Sequence, residues 1–172
     1  CFFFWGFVVV FFGVVVFFGA PYIPSHKAQV RRAFTELYQL SESDVVVDLG
    51  SGDGVVLQVA LEQGALRAIG YELNPLLVGI SKLRLRNKSI EVHVADMWSV
   101  QPPDGVTVLY AFSVGRDMER LEQLAQRWAT HTGAPLSVIV YGHLLRHAKP
   151  ASTVGAHHLY TFSPLQEKKA QV

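Results

Sequence analysis

The run Asp48-Leu49-Gly50-Ser51-Gly52-Asp53-Gly54 succeeds the apolar stretch Val45-Val46-Val47 without a break and leads straight into a helix-like segment at 55–64. Three glycines at alternate positions let the backbone turn tightly and let a ligand lie against bare main chain, at the crevice outside the carboxyl end of a strand. The chain is thereby committed to a strand, glycine loop and helix unit, and the remaining sequence repeats the alternation. Strands are expected at 45–49, 68–72, 90–95, 106–112 and 136–142, with helices at 55–64, 75–88 and 115–133 and a further strand candidate at 157–162. The strands read as continuous hydrophobic runs, the mark of a parallel sheet covered by helices on both faces. The expected fold is α/β, a Rossmann-like, doubly wound, mostly parallel sheet.

A length of 172 residues suits one such domain and is short for two. Fifteen Lys and Arg against fourteen Asp and Glu leave a charge of +1, so no global basic field holds a nucleic-acid backbone, and no nucleic-acid partner is expected. The lone cysteine, Cys1, excludes an internal disulfide and a thiolate metal site. Only 17% of the residues are charged, and the apolar excess sits at the start. Residues 1–19 hold eight of the eleven Phe with six Val and no charge. As a helix this run spans about 27 Å, close to the thickness of a bilayer's hydrocarbon. One N-terminal transmembrane helix is therefore expected to contact the lipid bilayer. Lys27, Arg31 and Arg32 behind it predict a single-pass membrane protein with its catalytic domain on the cytoplasmic or mitochondrial matrix side. The expected organisation is an anchor at 1–19, a connector and leading helix at 20–44 with Ser25 as N-cap, and a catalytic domain at 45–172.

Chemistry gathers at strand ends. Glu72 closes the second strand, where a carboxylate can take both hydroxyls of a ribose. Asp96 closes the third, beside Met97 and Trp98, which offer the apolar walls an adenine ring requires. Charge then decides between ligands. A pyrophosphate wants backbone N–H groups and a helix N-terminus, and carboxylates at Asp48 and Asp53 repel it. S-adenosylmethionine carries a sulfonium and an ammonium against one carboxylate, so the acidic loop suits its cationic end. The glycine spacing, G-x-G-x-G, also departs from the dinucleotide pattern G-x-G-x-x-G.

This loop, with Glu72 and Asp96, resembles the class I S-adenosylmethionine-dependent methyltransferases. The strings Ala20-Pro21-Tyr22-Ile23-Pro24-Ser25, Gly70-Tyr71-Glu72-Leu73-Asn74-Pro75 and Ala95-Asp96-Met97-Trp98 narrow the likeness. They resemble the membrane-anchored protein lysine methyltransferases whose eukaryotic members modify the ATP synthase c-subunit and the adenine nucleotide translocase, and which have prokaryotic relatives. The closing segment KPASTVGAHHLYTF is similar as well. Carried over, the family's cofactor contacts fall on Asp48, Gly50, Gly52, Gly54, Glu72 and Asp96. Ser51, Asp53, Leu73, Asn74 and Met97 complete the expected cofactor-binding set. The implied activity is methyl transfer from S-adenosyl-L-methionine to an accessible lysine of a membrane or membrane-associated protein. A small or lipidic acceptor, or a tethered binding module without turnover, are the alternatives.

Such a displacement needs positioning and exclusion of water more than a strong base. Tyr22, Tyr110 and Ser113 are candidates to orient the amine, and the sequence assigns none of them a catalytic role. His143 and His147 come after a strand, where i and i+4 lie over about 13 Å apart by rise alone, so no metal is expected. Lys82, Arg84, Arg86 and Lys88 read first as a solvated helix end, with headgroup contact as the next reading.

Overall fold

The computed structural model describes residues 26–113 and 115–165. Its centre is a seven-stranded sheet in the order β3-β2-β1-β4-β5-β7-β6. The strands are β1 (Val45–Leu49), β2 (Arg67–Glu72), β3 (Ile90–Val94), β4 (Val106–Ser113), β5 (Leu136–Gly142), β6 (Ser152–Val154) and β7 (His157–Phe162). β1 to β5 are parallel, while β7 runs antiparallel between β5 and β6. The helices are α1 (Lys27–Arg32), α2 (Val55–Glu62), α3 (Pro75–Arg84) and α4 (Met118–Thr132).

Every residue of β1 is buried, because alternate side chains feed two cores. Val45, Val47 and Leu49 join the core under α4, with Leu121, Leu124 and Trp128. Val46 joins the core under α1, α2 and α3, with Phe34, Leu57 and Val78. The chain winds outward from β1 to β3, then returns to lay β4 on the other side of β1. That reversal opens a crevice at the carboxyl ends of β1 and β4, where an open α/β sheet takes its ligand.

The expected doubly wound, mostly parallel sheet is present, with four differences of detail. The leading helix is α only to Arg32 and continues as one wide turn, Ala33–Leu37, closed by the Tyr38 N–H donating to the Ala33 carbonyl. The helix expected over 75–88 stops at Arg84, because Leu85 turns inward and packs against Gly54. A short 3₁₀ turn, Gly115–Asp117, precedes α4. β6 adds an edge strand whose three residues were too few to carry a periodic signal.

The single-pass membrane placement is corrected. No helix among the described residues is long and apolar enough to cross a membrane. The run at 1–19 on which that expectation rested, like the expected cap Ser25, lies outside the described residues.

Candidate active site

The glycine loop is built around Glu72. Gly50, Gly52 and Gly54 all have positive φ, which bends the chain back over the end of β2. The N–H groups of Gly50 and Ser51 donate to the Tyr71 carbonyl at 2.8 and 3.1 Å. Glu72 then clamps the two sides of the crevice. Its Oε2 accepts from the Gly52 N–H at 2.9 Å and its Oε1 from the Asn74 N–H at 2.8 Å. A carboxylate has about four acceptor positions, so capacity remains for two hydroxyls of a ligand. Asn74 caps α3, its Oδ1 accepting from the Leu76 N–H at 3.0 Å, and Leu73 beside it is exposed.

Asp48 lies at the floor, 3% exposed. Burial, and then the charges of Glu72 and Asp53, push its carboxyl well above the usual carboxylate range. A buried acid among acids is a place where a cation lowers the free energy. Asp53 is engaged within the fold itself. Its carboxylate is paired with the Arg84 guanidinium at the end of α3, so it ties the loop to that helix. Ser51 is buried against Gly70, where a Cβ would come within 2.5 Å of the Ser51 hydroxyl, so the loop can sit this low only over a glycine.

Across the crevice Asp96 is exposed. Its Oδ1 accepts from the Trp98 N–H at 3.0 Å and its Oδ2 from the Ser99 hydroxyl at 3.3 Å, which holds the turn after β3. Met97 and Trp98 pack onto the α4-side core, and Arg120 lies 4.5 Å over the Trp98 ring.

Of the amine-orienting candidates, Tyr22 lies outside the described residues, as does the side chain of Ser113, whose backbone ends β4. Tyr110 is buried on the α1 side, in register with Asp48. Its hydroxyl shares a 2.9 Å hydrogen bond with His157 Nε2. The ring of His157 packs 4.8 Å from that of Tyr141, whose ring lies 5.6 Å from Phe112. Sequence reading missed the cluster that Tyr110, His157 and Tyr141 form at this end of the sheet. Their signal was present only as aromatic and histidine residues at a strand's end and the start of the next, and which strands meet is a long-range fact. His143 lies against Gly115, while His147 faces Glu122 at 3.3 Å.

Superposition on solved structures decides the architecture. An RNA methyltransferase from Salinibacter ruber, crystallised with S-adenosyl-L-homocysteine, aligns over 86% of this chain and 97% of its own with a TM-score of 0.70 at 24% identity. The fold is that of the class I methyltransferases. At such identity the likeness establishes this methyltransferase fold and nothing of the acceptor. A geranyl diphosphate C-methyltransferase from Streptomyces coelicolor shares it at a TM-score of 0.55 and 20% identity, over 72% of this chain and 47% of its own.

Sequence comparison bears out the narrower resemblance. The chain is 36% identical over 110 residues to the ATP synthase c-subunit lysine N-methyltransferase of Xenopus laevis, covering 62% of this chain and 47% of that protein. It is 37% identical over 100 residues to the adenine nucleotide translocase lysine N-methyltransferase of Mus musculus, covering 55% and 43%. A protein-lysine N-methyltransferase of Saccharolobus islandicus matches at 38% over 55 residues, 31% of this chain and 34% of the other. The chain thus spans less than half the length of these curated relatives. No family model matches it.

Proposed function

We propose that this chain is an S-adenosylmethionine-dependent methyltransferase that modifies the side-chain amine of a lysine in a protein. The observation that carries the reading is the Glu72 clamp beside buried Asp48, in a chain similar to lysine N-methyltransferases from vertebrates and an archaeon. The residues fit the cofactor's chemistry: a carboxylate with spare acceptor positions for a ribose, an acidic floor for a cation, and half-buried Met97 and Trp98 beside Asp96 for a flat ring.

When bound, S-adenosylmethionine supplies a methyl group on a sulfonium. The chain's own part is to hold and to exclude. Glu72 would accept from the ribose hydroxyls, Asp48 and the loop's backbone would meet the cationic end, and Asp96 with Met97 would border the adenine. Asp53 holds the loop from behind through Arg84, and Leu73 and Asn74 form the rim at the start of α3. Tyr110 supports the floor at the carboxyl end of β4. Methyl transfer to an amine is an in-line displacement, so alignment and a dry channel carry most of the rate. A low-dielectric channel also favours the neutral form of the incoming lysine.

The test is incubation with methyl-labelled cofactor and a protein extract, then acid hydrolysis of the labelled protein. Methyllysine is the expected product. Label extracted into organic solvent identifies a small or lipidic acceptor instead, and cofactor binding without label identifies a binding module.

A further inference from the structure

α3 is apolar on both of its faces. Val78 and Ser81, with Leu85 just past the end, point into the core. On the opposite side Leu76, Ile80 and Leu83 stand 49%, 44% and 68% exposed, and Leu73, on the rim of the crevice, precedes the helix. A spacing of four and then three residues aligns Leu76, Ile80 and Leu83 in one stripe along the helix. Scattered exposed leucines are ordinary, but a contiguous apolar row along one helix face is the kind of surface that marks an interaction site. At the stripe's carboxyl end Lys82, Arg86 and Lys88 are exposed, with no acid in the sequence between Glu72 and Glu91. Arg84 is the cation of this group that pairs with Asp53. Among the described residues, Lys82, Arg86 and Lys88 form no ion pair.

We propose that the outer face of α3 is a docking surface for an anionic lipid bilayer, with the leucine stripe entering the headgroup layer and Lys82, Arg86 and Lys88 meeting lipid phosphates and carboxylates. Two observations choose this occupant. The segment from Leu73 to Ile90 carries cations and no acid, and its exposed Lys82, Arg86 and Lys88 gather at the carboxyl end of the stripe, as on an interfacial helix facing an anionic leaflet. The patch is also one convex helix face of three apolar side chains, whereas a stable protein interface needs about 800 Å² per partner and some 20 to 30 residues a side. A fluid surface requires neither that area nor a matching groove. A second copy of this chain would bring the same cations together. The contact is peripheral and needs no crossing helix. Because α3 begins beside Asn74 on the rim of the crevice, such docking would turn the site's mouth toward the membrane surface.

The test uses the full chain and a probe confined to α3. A Cβ at Gly79 meets nothing within 4 Å, so Gly79→Cys, in a Cys1→Ser background, can carry an environment-sensitive fluorophore beside the stripe. The probe is monitored on adding vesicles of phosphatidylcholine alone or of phosphatidylcholine with phosphatidylserine. The expected result is a blue shift and enhanced emission with the anionic vesicles, reversed by high salt, and at least a fivefold weaker response after Lys82→Glu with Arg86→Glu. Leu76→Asp with Ile80→Asp is expected to abolish the shift while S-adenosylhomocysteine affinity by calorimetry stays unchanged, which shows that the domain remains folded. An unshifted probe on protein that sediments with vesicles would place the lipid contact elsewhere and overturn the proposal. So would a response equal on neutral and anionic lipid, or a shift that tracks protein concentration without vesicles, which would make the occupant a second copy. None of these outcomes depends on the acceptor of the methyl group.

Discussion

The hydroxyl of Tyr110 in β4 and Nε2 of His157 in β7 lie 2.9 Å apart, joined across the width of the intervening β5. Both residues are buried, at 2% and 3% exposure. Burial, and then the neighbouring His158, lower the His157 pKa from 6.5 to about 4, so the ring is neutral at physiological pH.

That pair predicts a pH dependence. With a folded-state pKa below the unfolded one, the unfolded chain binds more protons between pH 6.5 and about 4. This contribution to stability is complete above pH 6.5 and is lost as the pH falls toward 4. Its size is at most about 3 to 4 kcal/mol. Urea unfolding at several pH values should show His157→Phe losing less stability on acidification than the unsubstituted chain. Asp48 contributes with the opposite sign, since its folded pKa is raised, but it is common to both proteins and cancels in the difference. Equal acid slopes would mean that His157 is already charged in the fold.

Glu72 is expected to be the most sensitive position for the cofactor. Glu72→Ala removes the acceptor for the Gly52 and Asn74 N–H groups together with the ribose acceptor. Binding of S-adenosylmethionine should weaken by about 1 kcal/mol or more, measured by calorimetry. Asp96→Ala should cost less, because Met97 and Trp98 remain as apolar walls. A larger loss at Asp96 would reverse the assignment of roles.

Two glycines should respond in opposite directions to alanine. Gly54 has φ +81° and a Cβ there runs into Leu85 Cδ1 and the Ser81 hydroxyl, so Gly54→Ala combines backbone strain with overpacking. A loss of about 2 to 4 kcal/mol is expected in urea. Gly79 sits in α3 with nothing near its notional Cβ, and Gly79→Ala should raise stability by about 0.5 to 1 kcal/mol.

The Arg84 and Asp53 pair is partly exposed, with side chains 42% and 21% accessible. Arg84→Ala should therefore cost under about 1 kcal/mol of stability, with the deficit shrinking in salt. Its clearer effect should fall on the loop: faster amide exchange at Ser51 to Gly54 than in the unsubstituted chain. Unchanged exchange there would show that the Glu72 clamp alone holds the loop.

Features that the chain encodes locally were legible in the sequence. The parallel strands announced themselves as runs such as Val45-Val46-Val47, since a strand buried on both faces has no polar alternation to hide it. The glycine loop and the acids at Glu72 and Asp96 could be read because tight turns and strand ends restrict residue type within a few positions. Tertiary structure decided the rest. α3 stops at Arg84, short of the expected end at 88, because Leu85 is drawn under Gly54, far away in sequence. Asp53 faces Arg84, and Tyr110 reaches His157 past β5, through pairings that no window of neighbouring residues contains. The outer stripe of α3 has the same helical period as a buried face, and periodicity reports that a face is apolar without saying which faces the core covers. That choice is made by the sheet, which has room under α3 for Val78 and Ser81 and leaves Leu76, Ile80 and Leu83 outside.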